Sequence, residues 1–129
     1  MSILQGKKAV VTGGAQGLGE AIVMRLAAEG CDVLIGDLNV EGAQDTAGRV
    51  AADTGRSVCG MKVDVTNEED VDALFQRAVR DLGRVDIVVA NAAILIAEPI
   101  DQADAGKWRA VMNVNLFGYF LTTKYAARI

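Results

Sequence analysis

The sequence predicts an α/β fold on one doubly wound parallel sheet, with elements in the order β-α-β-α-β-α-β-α and strands arranged 3-2-1-4. Three observations predict it. Short β-branched runs alternate with stretches whose apolar residues recur at helical spacing. Glycines stand where the helical stretches should stop, at Gly30, Gly55 and Gly83. The single proline, Pro99, falls after the fourth strand and interrupts no periodic segment.

Ala9-Val10-Val11 is the first strand and runs into a glycine cluster. Leu18, Ala21, Ile22 and Leu26 then form a helical stripe, and Asp32-Val33-Leu34-Ile35-Gly36 is the second strand. Val40 to Thr54 reads as an Ala-rich helix with Ala43, Ala47, Val50 and Ala51 on one stripe, and Ser57 to Val63 as the third strand. Thr66 and Glu69 have capping-box spacing ahead of the clearest helix, whose stripe is Val71, Leu74, Phe75, Ala78, Val79 and Leu82. Val85 to Ala90 is apolar except at Asp86, which suits a strand buried on both faces. A last helix is expected from about Asp104 through Trp108, Val111, Met112, Asn115 and Tyr119 to the end.

Composition bounds the function. With 129 residues, 51% of them hydrophobic, the chain can bury roughly two-thirds of its unfolded surface without a metal or disulfide staple. The high apolar fraction and net charge of −4 exclude disorder. The longest apolar run, Ala92 to Ala97, is far below the ~18 residues of a membrane span. The first eight residues carry no apolar core of secretory length, so a cytoplasmic domain is expected. Seventeen acids against 13 bases, with no basic run longer than Lys7-Lys8, argue against a nucleic-acid partner. Cys31 and Cys59 sit beside apolar stretches and are expected to be buried free thiols, a mutual bridge being the lesser alternative. The absence of histidine removes imidazole zinc sites and Ser-His-Asp or Cys-His mechanisms within this chain, and no metal is expected.

The strongest local signal is Thr12-Gly13-Gly14-Ala15-Gln16-Gly17-Leu18-Gly19, between the first strand and first helix. Glycines let backbone N–H groups approach a diphosphate, and a helix N-terminus adds partial positive charge. A tight turn with incidental glycines is the plainer reading. A P-loop fails because Glu20-Ala21 stands where Lys-Ser/Thr must follow, and the GxGxxG spacing is also absent. Asp37 ends the second strand, where a carboxylate accepts hydrogen bonds from an adenosine ribose and repels a 2′-phosphate. It could instead cap the following helix. No Arg or Lys in the glycine loop or directly after Asp37 welcomes that phosphate, which favours NAD over NADP. Asp64-Val65 and Asn91-Ala92-Ala93 end the third and fourth strands, so four strand ends converge on one crevice, although Asp64 alone is equally a turn residue. Asn115 shares its helical face with apolar residues, where a buried amide must find partners, a neighbouring backbone group among them.

These motifs together resemble the N-terminal half of a short-chain dehydrogenase/reductase, a family with a Rossmann-type fold. Thr12-Gly13-x-x-x-Gly17-x-Gly19 is similar to its TGxxxGxG cofactor loop, and Asp37 to the acidic residue of NAD-preferring members. Asp64-Val65 resembles the pair that holds the adenine, and Asn91-Ala92-Ala93-Ile94 the NNAG segment, with Ala90 and Ala93 replacing its first asparagine and its glycine. Trp108 through Asn115-Leu116-Phe117-Gly118 resembles the helix carrying the catalytic asparagine. The resemblance spans about Lys7 to Ile129 and implies a single NAD-binding domain over 1–129. It further implies an alcohol or polyol and its ketone as substrate, a dimer or tetramer of identical chains, and Asn115 organising a proton-relay water. It also implies that the chain stops before the fifth strand, which carries a serine, and before the helix with the Tyr-x-x-x-Lys pair. Here Thr123 and Ile129 stand four residues after Tyr119 and Tyr125, so the 129 residues are expected to bind cofactor without turning over. A 3-oxoacyl thioester reductase, usually NADPH-dependent, is disfavoured by Gln16 and Asp37, and a non-catalytic nucleotide-binding module is the alternative outside enzymes.

Overall fold

The β-branched run after Lys7 extends as strand β1 (Lys8–Thr12) in the computed structural model, which describes residues 2–129. Helix α1 (Gly17–Ala28), strand β2 (Asp32–Asp37), helix α2 (Val40–Thr54), strand β3 (Val58–Lys62), helix α3 (Glu68–Leu82) and strand β4 (Ile87–Ala90) follow. The strands form one parallel sheet in the order β3-β2-β1-β4, as expected. In register, Val10 faces Leu34 and Val88, and Val11 faces Ile35 and Val89. Side chains alternate between the two faces of the strands, so the sheet carries two cores. Ala9, Val11, Val33 and Ile35 pack against Val23 and Ala27 of α1 and Ala43, Ala47 and Val50 of α2. On the other face, Val10 and Leu34 pack against Val71, Leu74, Phe75 and Ala78 of α3 and Leu121 and Tyr125 near the C-terminus. Burial on both faces explains why these strands read as continuous apolar runs.

Several expectations need correction. The third strand is narrower than 57–63, and the residues flanking it still bond β2, the Val33 N–H donating to the Ser57 carbonyl at 2.9 Å and the Val63 N–H to the Asp37 carbonyl at 3.0 Å. The fourth begins at Ile87 rather than Val85 and is only half-buried throughout, since within the described residues it pairs with β1 alone. Helix α3 is capped by Asn67, whose side chain accepts from the Asp70 N–H at 3.0 Å, rather than by Thr66. The Thr66 hydroxyl donates to Asp64 instead. Leu18 is 71% exposed and outside the core stripe, as is the exposed Ala21, because the face of α1 turned to the sheet is that of Gly19, Val23 and Ala27. Cys31 is buried, but Cys59 is exposed on β3, and both are free thiols.

The last helix is interrupted. Asp104 caps helix α4 (Ala105–Met112) by accepting from the Lys107 N–H at 2.9 Å, and residues Asn113–Phe117 then widen into a π-turn before helix α5 (Gly118–Ala126). An ionic cluster joins the amino ends of the strands. Buried Asp32 accepts from Lys8, from Arg56 at 2.7 Å and from the Ser57 N–H at 3.0 Å. Burial acts to raise the Asp32 pKa, but these bonds and the positive charges outweigh it and hold the carboxyl below its ordinary value. Among the described residues, no helix is long and apolar enough to cross a membrane.

Candidate functional site

The opposite, carboxyl end of the sheet carries the crevice. Thr12 at the end of β1 is buried, and its hydroxyl oxygen accepts from the N–H groups of Asn91 and Ala92, at 3.1 and 3.2 Å. The Asn91 amide in turn donates to the Gly13 carbonyl at 3.0 Å, and the Gly13 N–H to the Gly36 carbonyl at 2.8 Å. Asp37 completes the frame. One carboxylate oxygen accepts from the Ala15 N–H at 3.0 Å and the other from the Asn39 N–H at 2.9 Å. Asn39, not Asp37, caps α2. The turn between β1 and α1 is thus tied to the ends of two other strands, β2 and β4.

Two glycines in it are needed for different reasons. A Cβ on Gly19 would stand 2.0 Å from the Gly13 carbonyl oxygen, so this position admits only hydrogen. Gly17 has φ +58, a left-handed conformation, and a Cβ there would meet nothing within 4 Å. The open space beside Gly17 adjoins the start of α1, where Gln16 supplies no side-chain cap. The first amides of a helix have no intrahelical acceptor, so uncapped ones present donors and partial positive charge to an anion.

The crevice measures about 410 Å³. Gly13, Gln16, Gly17, Leu18, Gly19 and Asp37 line one side of it. Asp64, Val65, Asn91, Ala92 and Ala93 line the other, so the expected nucleotide residues converge there, with Thr12 bracing them from behind. The short chain dehydrogenase family model matches residues 7–129. The chain belongs to the short-chain dehydrogenase family.

An uncharacterised oxidoreductase of Bacillus subtilis, YuxG, is 46% identical to this chain over 122 residues, covering 93% of the chain and 18% of that protein. Cis-4-hydroxycyclohexanecarboxylate dehydrogenase of Sinomonas cyclohexanicum is 42% identical over 121 residues, covering 93% of the chain and 48% of the relative. The structure of an NAD+-bound xylitol dehydrogenase superimposes with a TM-score of 0.94 at 30% identity, over 98% of this chain and 48% of that one. The chain thus spans about half the length of the latter two and less than a fifth of the first.

Asn115 is not among the residues that line the crevice. It is exposed, not buried, because its face of α4 and the π-turn is uncovered. Its amide still finds a backbone partner: Oδ1 accepts from the Ile94 N–H and Nδ2 donates to the Ile94 carbonyl, both at 2.8 Å. Asp64 spends Oδ1 on the Thr66 N–H and hydroxyl, at 2.9 and 2.7 Å, and still lines the crevice. Sequence reasoning missed Gly36, Leu38, Val63 and Val114 in the lining and quoted Ile94 only as part of a motif. Gly36 had a usable signal, a glycine inside an apolar strand, which marks close approach. A Cβ there would stand 3.0 Å from Val63 and 3.1 Å from Leu74. Among the described residues no group of three or more His, Cys, Asp or Glu side chains is gathered as metal ligands would be.

Proposed function

We propose that the chain is the cofactor-binding part of an NAD-dependent oxidoreductase that transfers a hydride between nicotinamide and an alcohol, polyols included, or the corresponding ketone. The observation that carries this reading is the uncapped start of α1 with open space at Gly17, sharing one crevice with the Asp37 carboxylate. A dinucleotide fits that pairing. The first amides of α1 take the diphosphate. Asp37 uses one acceptor site on each oxygen for Ala15 and Asn39 and keeps the others for ribose hydroxyls, while its charge disfavours a 2′-phosphate. Asp64 and Val65 flank the adenine, and Asn91, Ala92 and Ala93 the ribose at the nicotinamide end. When bound, the nicotinamide supplies the hydride acceptor or donor.

The chain's own residues bind and position. Asn115 fixes the segment after β4 through both hydrogen bonds to Ile94, and it is the residue we assign to the proton relay. Neither tyrosine has a lysine four residues on, Thr123 and Ile129 standing there instead. Burial and the neighbouring Glu68 carboxylate raise the Tyr125 pKa, so this phenol keeps its proton at neutral pH, opposite to what a general base needs. These 129 residues therefore hold cofactor without turnover, and the source protein is a cytoplasmic oligomer of identical chains. The relatives agree with the class: one is named for a hydroxylated ring acid, and the xylitol dehydrogenase was solved with NAD+ bound. Calorimetric titration of NAD and NADP into the chain tests the reading. NAD is expected to bind at least about tenfold tighter, roughly 1.4 kcal/mol. Tighter NADP binding overturns the choice of cofactor, and binding of neither overturns the function.

A further inference from the structure

Resting on that nucleotide reading, we propose that Gly118 is a positioning residue for the cofactor. By carrying no side chain it lets Val65 stand back and keeps the adenine end of the crevice open. Gly118 opens α5 and is buried, although it is not among the residues that line the crevice. A Cβ built on it would stand 2.7 Å from Val65 Cγ2, 3.2 Å from Val65 Cβ and 3.3 Å from the Val65 carbonyl oxygen. Carbon atoms pack at about 3.5–4.0 Å, so a side chain at 118 forces one partner to move. All three of the nearest atoms belong to Val65, which makes it the residue through which Gly118 acts.

The helix is held against retreat. Leu121 and Tyr125 of α5 share one buried cluster with Val71 and Phe75 of α3. Glu68, the first residue of α3, accepts from both the Lys124 ammonium and the Tyr125 hydroxyl. The backbone on either side of Val65 is fixed as well. The Asp64 N–H donates to Asp70 at 2.9 Å, and the Asp64 carbonyl accepts from the Asn67 N–H at 3.0 Å. The Thr66 N–H donates to Asp64 Oδ1 at 2.9 Å. A valine has little freedom about χ1, so its methyls cannot swing aside cheaply. The seam that Val65 shares with Thr12, Ala90, Ala92, Gly118 and Thr122 holds no room for a water molecule. The open space beside Val65 is the crevice. A side chain at 118 therefore drives the Val65 methyls into the volume that the adenine needs.

The parent chain, Gly118→Ala, Val65→Ala and the double variant are each titrated with NAD and with AMP by calorimetry, after urea denaturation has shown which of them fold. Gly118→Ala is expected to raise both half-saturations by about tenfold or more. Val65→Ala takes away the methyls in the way, so adding Gly118→Ala to it should change AMP half-saturation less than about threefold. Gly118→Ala that leaves AMP binding unchanged overturns the proposal. A loss as large in the Val65→Ala chain as in the parent also overturns it, because Gly118 then acts through the helix at large. Should Gly118→Ala not fold alone, Val65→Ala and the double variant decide. AMP half-saturations within about threefold of each other support Val65 as the route, and a tenfold loss or an unfolded double variant overturns it. A parent chain that binds neither NAD nor AMP overturns the cofactor reading and this proposal with it. A parent that binds both, beside a silent Gly118→Ala, overturns this proposal alone.

Discussion

The crevice is walled by two regions of opposite character. On the side of β1, β2 and α1, nearly every strand residue is buried and the loop is held by hydrogen bonds to the ends of β2 and β4. On the side of β4, α4 and the π-turn, the strand is half-buried and α4 buries no residue. The difference separates two ways of making a site. The first wall is specified by backbone geometry, with glycines where no side chain fits. The second is a scaffold of exposed apolar side chains kept in place by separate polar contacts at Thr12, Glu98 and Asn115.

Substitutions can break this contrast. The largest effect is expected at Gly19→Ala, where the Cβ at 2.0 Å from the Gly13 carbonyl forces the loop apart. A loss of about 3 kcal/mol or more in urea denaturation, together with loss of NAD binding, is expected. Gly17→Val in the same loop places its Cβ in open space and should cost only about 1–2 kcal/mol, from its left-handed backbone, yet abolish NAD binding. Equal destabilisation by the two would show that the loop is held by something other than close packing.

At the far end of the well-packed wall, Asp32→Ala leaves Lys8 and Arg56 without their shared partner and should cost about 3 kcal/mol. The sign with pH follows from its depressed folded pKa. The stabilisation is complete above the unfolded carboxylate value of about 3.9 and is lost as pH falls through the folded value. Urea midpoints between roughly pH 2 and pH 5 should therefore fall more steeply for the parent chain than for the variant.

Asp37→Ala should weaken NAD binding about tenfold, or 1.4 kcal/mol, and narrow the preference over NADP in paired titrations. Unchanged affinity for both would leave Asp37 with only its bonds to Ala15 and Asn39. The smallest effect belongs to the open wall. Asn115→Ala removes two exposed hydrogen bonds and should lower stability by about 1 kcal/mol, read from the thermal midpoint. A cost as large as that at Gly19 would mean that the two walls are equally rigid.

What could be read from the sequence follows the same division. The strand order and the convergence of Gly13, Gly17, Gly19, Asp37 and Asn91 were legible, because periodicity and glycine spacing record backbone requirements. Thr66 misled because two neighbouring residues suit a helix start, and Asp64 claims the hydroxyl that would have capped it. Cys59 and Leu18 misled because apolar neighbours in sequence do not show which side chains point to solvent. The π-turn at Asn113–Phe117 left no trace, since one widened turn barely disturbs an apolar stripe. The exposure of Asn115 was equally hidden, because it depends on what lies over the helix and not on the helix itself.

The Thr12 hydroxyl, described above as a brace, also sets how the second wall opens. Asn91 and Ala92 give their backbone protons to it, Ile94 gives its own to Asn115, and the Asn91 side chain is anchored on Gly13. Those three amides sit on one short segment with no partner in a strand ladder. In deuterated water they should exchange together, by a single opening event slower than that of the freely exposed Leu95 amide beside them. A ligand lodged in the crevice against Gly13 should slow all three at once, although it need touch only one wall.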